Sequence, residues 1–203
     1  MRVISGTARG TILQSIDEIS TRPTLDRVKE SLFNIIQDYT EDAVVLDLFA
    51  GSGAIGIEFL SRRANKVYFV EKSNKAINVI KNNLNKTKLS DKTIIYNDDY
   101  KIALEKVKQE KFDIIYLDPP FKEKYAIEAI KLINKYDLLS KKGIIIIETD
   151  EPERDIKEIK NIDIKYKMYD IRKYGRVSLI FLKWKGCKYG NFHIIRNNRR
   201  YIR

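Results

Sequence analysis

The first predicted strand of the chain leads into Asp47-Leu48-Phe49-Ala50-Gly51-Ser52-Gly53-Ala54-Ile55-Gly56. The strand is the apolar run AVVLDLF (43–49), and the stretch continues into a segment of helical period. The G-x-G-x-x-G spacing predicts a tight connection between strand and helix, in which backbone amides can approach a ligand closely. Such a loop is typical of the first unit of an open α/β sheet, and it places a ligand at the carboxyl end of that strand.

Further short apolar runs alternate with segments of helical period along the chain. The runs are KVYFV (66–70), TIIY (93–96), FDIIYL (112–117) and GIIIIE (143–148), and helical segments are predicted at 73–85, 100–109 and 123–136. These runs lack a period of two, so both faces of each strand are expected to be buried, as in a parallel sheet covered by helices. Right-handed crossovers then make the fold a doubly wound α/β sheet.

The two ends of the chain depart from this alternation. Near the C-terminus, the runs IDIKYKMYDI (162–171) and RVSLIFLKW (176–184) flank a KYG turn and predict a hairpin added antiparallel at one edge, which gives a mostly parallel sheet of seven strands. At the N-terminus, a helix with one apolar face is predicted after an N-cap at Thr24. We expect a single domain over 1–185, with an N-terminal extension (1–42), a core (43–185) and a basic tail (186–203).

Composition and charge limit the class of protein. Of the 203 residues 43% are hydrophobic, which excludes a disordered or collagen-like chain. The formal net charge is +11, and +10 of it lies in residues 161–203, which hold 12 basic and 2 acidic side chains. Residues 186–203 alone hold five basic side chains and no acidic one. This charge makes nucleic acid, acidic lipid or another polyanion the partners to test, without choosing among them.

The single cysteine, Cys187, excludes an internal disulfide, a multi-cysteine zinc site and an iron–sulfur centre. The apolar runs are too short to span a bilayer, and the first ten residues contain no apolar signal core. We therefore expect a cytoplasmic protein without a membrane segment or a bound metal.

An acidic residue accompanies the glycine loop on the next strand. Glu71 lies twenty residues after Gly51, where a carboxylate can accept both hydroxyls of a ribose. That pair suits NAD as well as S-adenosylmethionine. Asp47, four positions before Gly51, favours S-adenosylmethionine, because a buried acid under the loop suits an ammonium and a sulfonium rather than a pyrophosphate. Asp99 can accept from an adenine amino group or can equally be a solvated helix N-terminus. The predicted cofactor-binding residues are Asp47, Phe49, Ala50, Gly51, Ser52, Gly53, Glu71, Asp99 and Asp118.

The fourth strand runs into Asp118-Pro119-Pro120-Phe121, at the edge of the sheet where ligands bind. Methylation of an exocyclic amine requires acceptors for its hydrogens, so that the nitrogen lone pair points at the methyl group. The Asp118 carboxylate and the Pro119 carbonyl can be these acceptors, Pro120 stiffens the turn, and Phe121 offers a face for a planar base. Catalysis of this kind works mainly by positioning.

These motifs resemble the RsmD-type 16S rRNA (guanine-N2)-methyltransferase family over about residues 1–185. The matching stretches are RVISGTARG, TRPTLDRVKESLFNII, VLDLFAGSGAIGIEFLSRRA, VYFVEK, FDIIYLDPPF, GIIIIE and KYGRVSLIFL. The resemblance implies a Rossmann-like methyltransferase with S-adenosylmethionine as methyl donor and N2-methylguanine in 16S rRNA as product. It further implies a monomer that acts on an assembled or nearly assembled small ribosomal subunit.

An RNA substrate requires contacts that offset the cost of exposing the target base. The predicted phosphate contacts are Arg2, Arg9, Arg22 and Arg27 in the N-terminal arm and Arg172, Lys173 and Arg176 around the KYG turn. Three other functions are weighed against this one: an adenine-N6 or cytosine-N4 amino-methyltransferase acting on DNA or RNA, a non-catalytic RNA-binding assembly protein, and an NAD-dependent oxidoreductase.

Overall fold

A computed structural model describes residues 1–16, 23–120 and 124–186, which form one mixed sheet of seven strands. The strands are β1 (Val44–Asp47), β2 (Lys66–Val70), β3 (Thr93–Tyr96), β4 (Phe112–Leu117), β5 (Leu139–Thr149), β6 (Tyr166–Tyr174) and β7 (Val177–Trp184). Their order across the sheet is β3-β2-β1-β4-β5-β7-β6. The first five strands are parallel, and β7 is antiparallel to both of its neighbours. The predicted α/β fold with an antiparallel edge hairpin is confirmed.

Helices cover both faces of this sheet. They are α1 (Pro23–Ile35), α2 (Ala54–Ser61), α3 (Asn74–Thr87), α4 (Tyr100–Lys106), α5 (Tyr125–Lys135) and α6 (Pro152–Asn161). The prediction of an N-cap at Thr24 is wrong, because α1 already begins at Pro23. Proline suits the first helical position, since its fixed φ matches the helix and its missing amide hydrogen would have no partner there.

The core divides into two apolar clusters, one on each face. Neighbouring residues of a strand point to opposite faces, so Val45 packs with α1, α2 and α3 whereas Leu46 packs with α4, α5 and α6. Ile144 and Ile145 divide in the same way on β5, and all four side chains are fully buried. Burial on both faces explains why these strands are continuously apolar.

Two strands begin four residues away from their predicted starts. Strand β5 begins at Leu139, four residues before the predicted run. The sequence pattern did not predict this start because the residues that follow Leu139 are polar and include exposed lysines. One of them, Lys141, lies over the Trp184 ring at 3.9 Å. Strand β6 begins at Tyr166 rather than at 162, since Ile162 and Ile164 pack into the core from the connection that precedes the strand.

The N-terminal residues pack against α2 through a buried acid. The Glu58 carboxylate accepts the backbone amides of Ile4 (2.8 Å) and Ser5 (3.0 Å), and it pairs with Arg62 at 2.9 Å and Lys29 at 3.3 Å. Burial lowers the pKa of Lys29, and the Glu58 charge opposes that shift. Because buried charges must be paired to be tolerated, this network holds the N-terminal segment and α1 on one face of the sheet.

The antiparallel direction of β7 decides where the C-terminal part of the described chain lies. Ser178 pairs with Thr149 at the carboxyl edge of the parallel strands, whereas the Trp184 indole donates to the Ser140 carbonyl (2.9 Å) at the opposite edge. The described chain therefore ends at Gly186 on the edge away from the glycine loop. Most of the predicted basic tail, with Cys187, lies outside the described residues. No helix in the described ranges is long and apolar enough to cross a membrane.

Candidate active site

The glycine loop between β1 and α2 has the conformation that its sequence requires. Gly51 and Gly53 have φ values of +53° and +76°, in the left-handed region that glycine adopts without strain. A Cβ atom built on Gly51 has no neighbour closer than Ile16 Cδ1 at 3.9 Å, so the loop leaves room for a ligand. Gly56 has a different role. A Cβ atom at this position would lie 2.2 Å from the Phe69 ring, so only glycine allows α2 to pack this closely on β2.

Asp47 lies beneath this loop at the end of β1. Its side chain is almost fully buried, and its Oδ2 accepts the amide of Gly56 at 3.0 Å. Burial raises the pKa of Asp47 to about 7, and the hydrogen bond from Gly56 opposes that shift. A cation bound above the loop would stabilise the ionised form of this carboxyl group and would therefore lower its pKa.

Glu71 follows β2 and braces the loop from the side. Its Oε2 accepts the Gly51 amide at 3.0 Å, and its Oε1 accepts the Ser73 amide at 2.8 Å. Each carboxylate oxygen has a second acceptor position, so the same group can also accept hydroxyl hydrogens. The structure thus brings together Glu71 and Gly51, which are twenty residues apart in the sequence.

Asn83 is a member of the site that sequence reasoning missed. Its side-chain amide on α3 donates to the carbonyls of Ser52 and Gln14, both at 3.0 Å, and its oxygen accepts the Gln14 amide at 2.7 Å. Asn83 is buried and therefore ties the glycine loop to the N-terminal segment. The signal in the sequence is a polar residue between Ile80 and Leu84 on the apolar face of α3.

The DPPF motif begins directly beside the glycine loop. The Leu48 amide donates to the Tyr116 carbonyl at 3.0 Å, which joins the chain after β1 to the end of β4. Asp118 is partly exposed, Pro119 is buried and Pro120 is exposed, whereas Phe121 lies outside the described residues. Although part of the residue is exposed, protein atoms surround its carboxyl group, and this desolvation together with the negative charges of Glu148 and Asp47 raises the pKa of Asp118 well above its usual range. Asp118 is therefore a strong acceptor for hydrogen bonds and for protons.

A second acid at this edge, Glu148, was also missed. It lies near the end of β5, is 7% exposed, and accepts a hydrogen bond from the hydroxyl of the buried Tyr116. Burial raises the pKa of Glu148, and the Tyr116 hydroxyl opposes that shift. The available signal was an acid at the end of four consecutive isoleucines. Across the three described ranges, no group of three His, Cys, Asp or Glu side chains could hold a metal ion.

Three aromatic side chains form a cluster where the chain leaves β1 and where α4 and α5 begin. The Phe49 ring is 5.3 Å from the Tyr100 ring, which is 5.4 Å from the Tyr125 ring at the start of α5. The predicted cofactor residue Asp99 caps α4, because its Oδ1 accepts the Lys101 amide at 3.0 Å. This agrees with the second of its two predicted roles, and its contact with adenine stays a prediction.

The structure separates the predicted RNA-contacting residues. Lys173 and Arg176 are exposed in the β6–β7 turn at the carboxyl edge, and Tyr174 between them packs against the apolar cluster to which Val28 of α1 belongs. Arg27, the residue before Val28, is exposed on α1. We call Arg27, Lys173 and Arg176 the basic rim.

The remaining predicted RNA contacts lie apart from the basic rim. Arg172 is half-buried, and its Nε is 2.8 Å from Asp170. Arg2 is exposed, and its carbonyl accepts the Lys29 ammonium at 2.5 Å. Arg9 is exposed, and it follows Ala8, whose amide donates to the Ser61 hydroxyl at 3.0 Å. Ser61 lies in the last turn of α2, about 10 Å along that helix from the glycine loop. Arg22 lies outside the described residues.

Comparison with known proteins agrees with this geometry. The family model described as conserved hypothetical protein 95 matches residues 1–183. Ribosomal RNA small subunit methyltransferase D of Haemophilus influenzae is 38% identical over 74% of this chain and 79% of its own length. The chain belongs to the RsmD-type methyltransferase family. Bacillus subtilis YlbH is 43% identical over 74% of this chain and 83% of its own length. The solved Escherichia coli structure yhhF has a TM-score of 0.76 at 28% identity, and covers 91% of this chain and 97% of its own.

Membership of this family settles two predictions made from the sequence. The Rossmann-like methyltransferase fold is confirmed, and so is S-adenosylmethionine as the cofactor. The residues of this RsmD-type enzyme also fit that cofactor, because an open glycine loop, a carboxylate beside it and a buried acid beneath it meet at one edge of the sheet.

Glu71→Ala is expected to raise the dissociation constant of S-adenosylmethionine by about 10- to 100-fold, since it removes an acceptor for the ribose and a brace of the Gly51 amide. Isothermal titration calorimetry measures this directly. The matched control is Glu105→Ala, which changes an exposed acid of α4 and leaves the affinity unaltered. An unchanged dissociation constant for Glu71→Ala would remove Glu71 from the cofactor site.

Proposed function

We propose that this enzyme transfers the methyl group of S-adenosylmethionine to the exocyclic N2 amine of a guanine in 16S rRNA of the small ribosomal subunit. The observation that carries the proposal is the join between the glycine loop and the start of the DPPF motif, through the hydrogen bond from Leu48 to Tyr116. This hydrogen bond brings the glycine loop and Asp118 to neighbouring positions, which supports a role for them in binding a methyl donor and an amine, in a chain whose relatives are named as rRNA methyltransferases.

The cofactor residues divide the work among themselves. S-adenosylmethionine supplies an electrophilic methyl group. Phe49, Ala50, Gly51, Ser52 and Gly53 form the loop that contacts it, and Asn83 holds that loop in place from below. Glu71 accepts the ribose hydroxyls, Asp47 balances the positive charge of the cofactor, and Asp99 accepts from the adenine amino group.

The target amine is held by the DPPF motif. The Asp118 carboxylate and the Pro119 carbonyl accept the hydrogens of N2, which directs the nitrogen lone pair towards the methyl group. As N2 becomes methylated it loses a proton, and Asp118 takes up that proton because burial and the neighbouring acids raise its pKa. Pro119 and Pro120 keep the turn rigid.

The proposed RNA contact is the basic rim beside this site. Arg27, Lys173 and Arg176 are exposed, and none of them has an acidic partner among the described residues. Exposed cations without ion-pair partners are available to phosphates, and each such contact releases a counterion. The substrate is the assembled or nearly assembled small subunit, and the enzyme acts on it as a monomer.

The test supplies tritium-labelled S-adenosylmethionine with small subunits, naked 16S rRNA and duplex DNA in parallel, followed by separation of the nucleosides. The proposal expects label in N2-methylguanine, with the largest yield on small subunits. Label in N6-methyladenine or N4-methylcytosine would overturn the assignment of the base. Label in DNA alone would overturn the assignment of RNA.

The double variant Lys173→Ala/Arg176→Ala is expected to raise KM for the RNA by about tenfold and to leave the affinity for S-adenosylmethionine unchanged. The slope of log affinity against log salt concentration should fall by about 0.7 for each lost phosphate contact. Filter binding across a salt series measures both quantities. Lys92→Ala is the matched control, because Lys92 is exposed directly before β3, at the edge of the sheet opposite to the glycine loop. Equal losses in the rim and control variants would exclude a specific role for the rim.

A further inference from the structure

Three neighbouring strands carry polar side chains on one face at the carboxyl edge. Asp47 on β1 pairs with Tyr116 on β4, and Tyr116 pairs with Ile146 on β5. Glu148 is two residues beyond Ile146 and therefore returns to the same face. Leu117 at the end of β4 pairs with Ile147 on β5, so the next residues along the two segments, Asp118 and Glu148, lie beside each other. The carboxylates of Asp118 and Glu148 are thus neighbours at the DPPF motif.

The Tyr116 hydroxyl gives Glu148 a fixed orientation. It donates to Oε2, and both side chains are buried, so the carboxylate has little freedom to rotate. A buried carboxylate needs hydrogen-bond donors to offset its desolvation, and the only side-chain or backbone donor to Glu148 in the described ranges is Tyr116. Glu148 therefore retains the capacity to accept a further donor.

The chemistry of the bases identifies a donor that fits this position. In guanine the exocyclic N2 amine lies beside N1, which carries a hydrogen. In adenine and cytosine the ring nitrogen beside the exocyclic amine carries a lone pair instead. Two adjacent acceptors on the protein consequently match guanine, whereas one of them would face a lone pair in the other two bases.

We propose that Glu148 selects guanine by accepting its N1–H, while Asp118 and the Pro119 carbonyl accept the hydrogens of N2. This inference rests on the proposed function, and it assigns the choice of base to a residue outside the DPPF motif. Tyr116 positions the Glu148 carboxylate for this contact. A site that hydrogen-bonds a particular group rejects analogues lacking it strongly, because its buried polar atoms are then left without a partner.

The test compares two bases at the position where the wild-type enzyme forms N2-methylguanine. One RNA keeps guanine, and the other carries 2-aminopurine, which has the same amine but a lone pair on N1. Both are assembled into small subunits by reconstitution. The wild-type enzyme is expected to prefer guanine by at least about 100-fold in kcat/KM.

Glu148→Gln is expected to reduce this preference by about 100-fold. The Tyr116 hydroxyl donates to the amide oxygen of the glutamine, so its NH2 group faces N1 and suits the lone pair of 2-aminopurine. 2-Aminopurine also lacks the O6 atom of guanine, and this loss affects the wild type and Glu148→Gln equally. The effect of O6 therefore cancels when the base preference of the variant is divided by that of the wild type. Glu151→Gln, a change of an exposed acid three residues further on, leaves the preference as in the wild type.

Each outcome of this test is decisive. If Glu148 only stabilised the fold, Glu148→Gln would lower kcat/KM for both bases by the same factor, and an unchanged preference therefore overturns the inference alone. If the wild-type enzyme forms no N2-methylguanine in any RNA, the proposed function and the inference both fall. Unchanged melting temperature and S-adenosylhomocysteine affinity in Glu148→Gln establish that the variant is folded.

Discussion

Asp118→Ala is expected to lower kcat for methyl transfer by about a thousandfold or more while S-adenosylmethionine still binds. The carboxylate at the end of β4 both holds the amine and takes up its proton, and effects of this kind contribute about 10²- to 10⁴-fold. The cofactor residues on the loop after β1 and at the end of β2 do not depend on it, because they are held by Gly51, Gly56 and Asn83. Single-turnover kinetics and calorimetry measure the two effects separately.

Asp118→Asn separates hydrogen bonding from proton uptake. Asparagine keeps one acceptor for the amine but cannot take up a proton, so its rate should lie between those of the wild type and Asp118→Ala. The wild-type rate should rise with pH as Asp118 ionises, since burial and the charges of Glu148 and Asp47 raise its pKa. Asp118→Asn should lack that rise. A loss of cofactor affinity as large as the loss of rate would contradict this role for Asp118.

Asp47→Asn is expected to weaken S-adenosylmethionine binding by about 10- to 100-fold at pH 8 while it stabilises the free protein. The effect on binding corresponds to ~1.4 to 2.7 kcal/mol, the size of one charge interaction in a partly screened site. Asparagine can still accept the Gly56 amide through its carbonyl, so the loop keeps its shape. Calorimetric titration measures the affinity, and chemical denaturation measures the free energy of unfolding.

The effect on stability follows from the pKa of Asp47. Burial raises that pKa from 3.8 to about 7. Between these two pH values the folded protein therefore holds a proton that the unfolded chain has already lost. The proton held by folded Asp47 contributes about 4 kcal/mol at most to the free energy of unfolding. This contribution is fully present below about pH 4 and is lost as the pH rises through 7. Asp47→Asn should remove this loss and raise the free energy of unfolding at pH 8 by roughly 1 to 3 kcal/mol.

The pH dependence of binding provides an independent check. The affinity of the wild type for S-adenosylmethionine should fall as the pH drops from 8 to 6, because a protonated Asp47 no longer balances the cation. Asp47→Asn should show a flat response over the same range. Asp113→Asn is the matched control, since Asp113 lies on β4 towards the opposite edge, where it accepts the amide of Val44 at 3.0 Å. A wild-type affinity that does not vary with pH would sink this account of Asp47.

Most of the sheet could be predicted because the evidence is local. Runs such as KVYFV and FDIIYL are continuous and β-branched, and they became β2 and β4 with the predicted boundaries. The start of β5 was hidden because Lys141 is polar, although it belongs to the strand and packs on Trp184 from the edge of the sheet. For β6 the error had the opposite sign. The apolar Ile162 and Ile164 predicted strand where the structure has a loop, because a loop can bury apolar residues as well as a strand can.

The opening stretch Asp47–Gly56 and the DPP turn were identified from the sequence alone, because each is a short motif whose residues act together within one strand-to-helix connection. The tertiary structure decided which distant residues join them. Asn83 reaches Ser52 from α3, Glu148 reaches Tyr116 from β5, and the antiparallel β7 carries the described C-terminal end away from the site. These contacts depend on the order in which strands pair, which is set by packing of the whole sheet and leaves no local pattern in the chain.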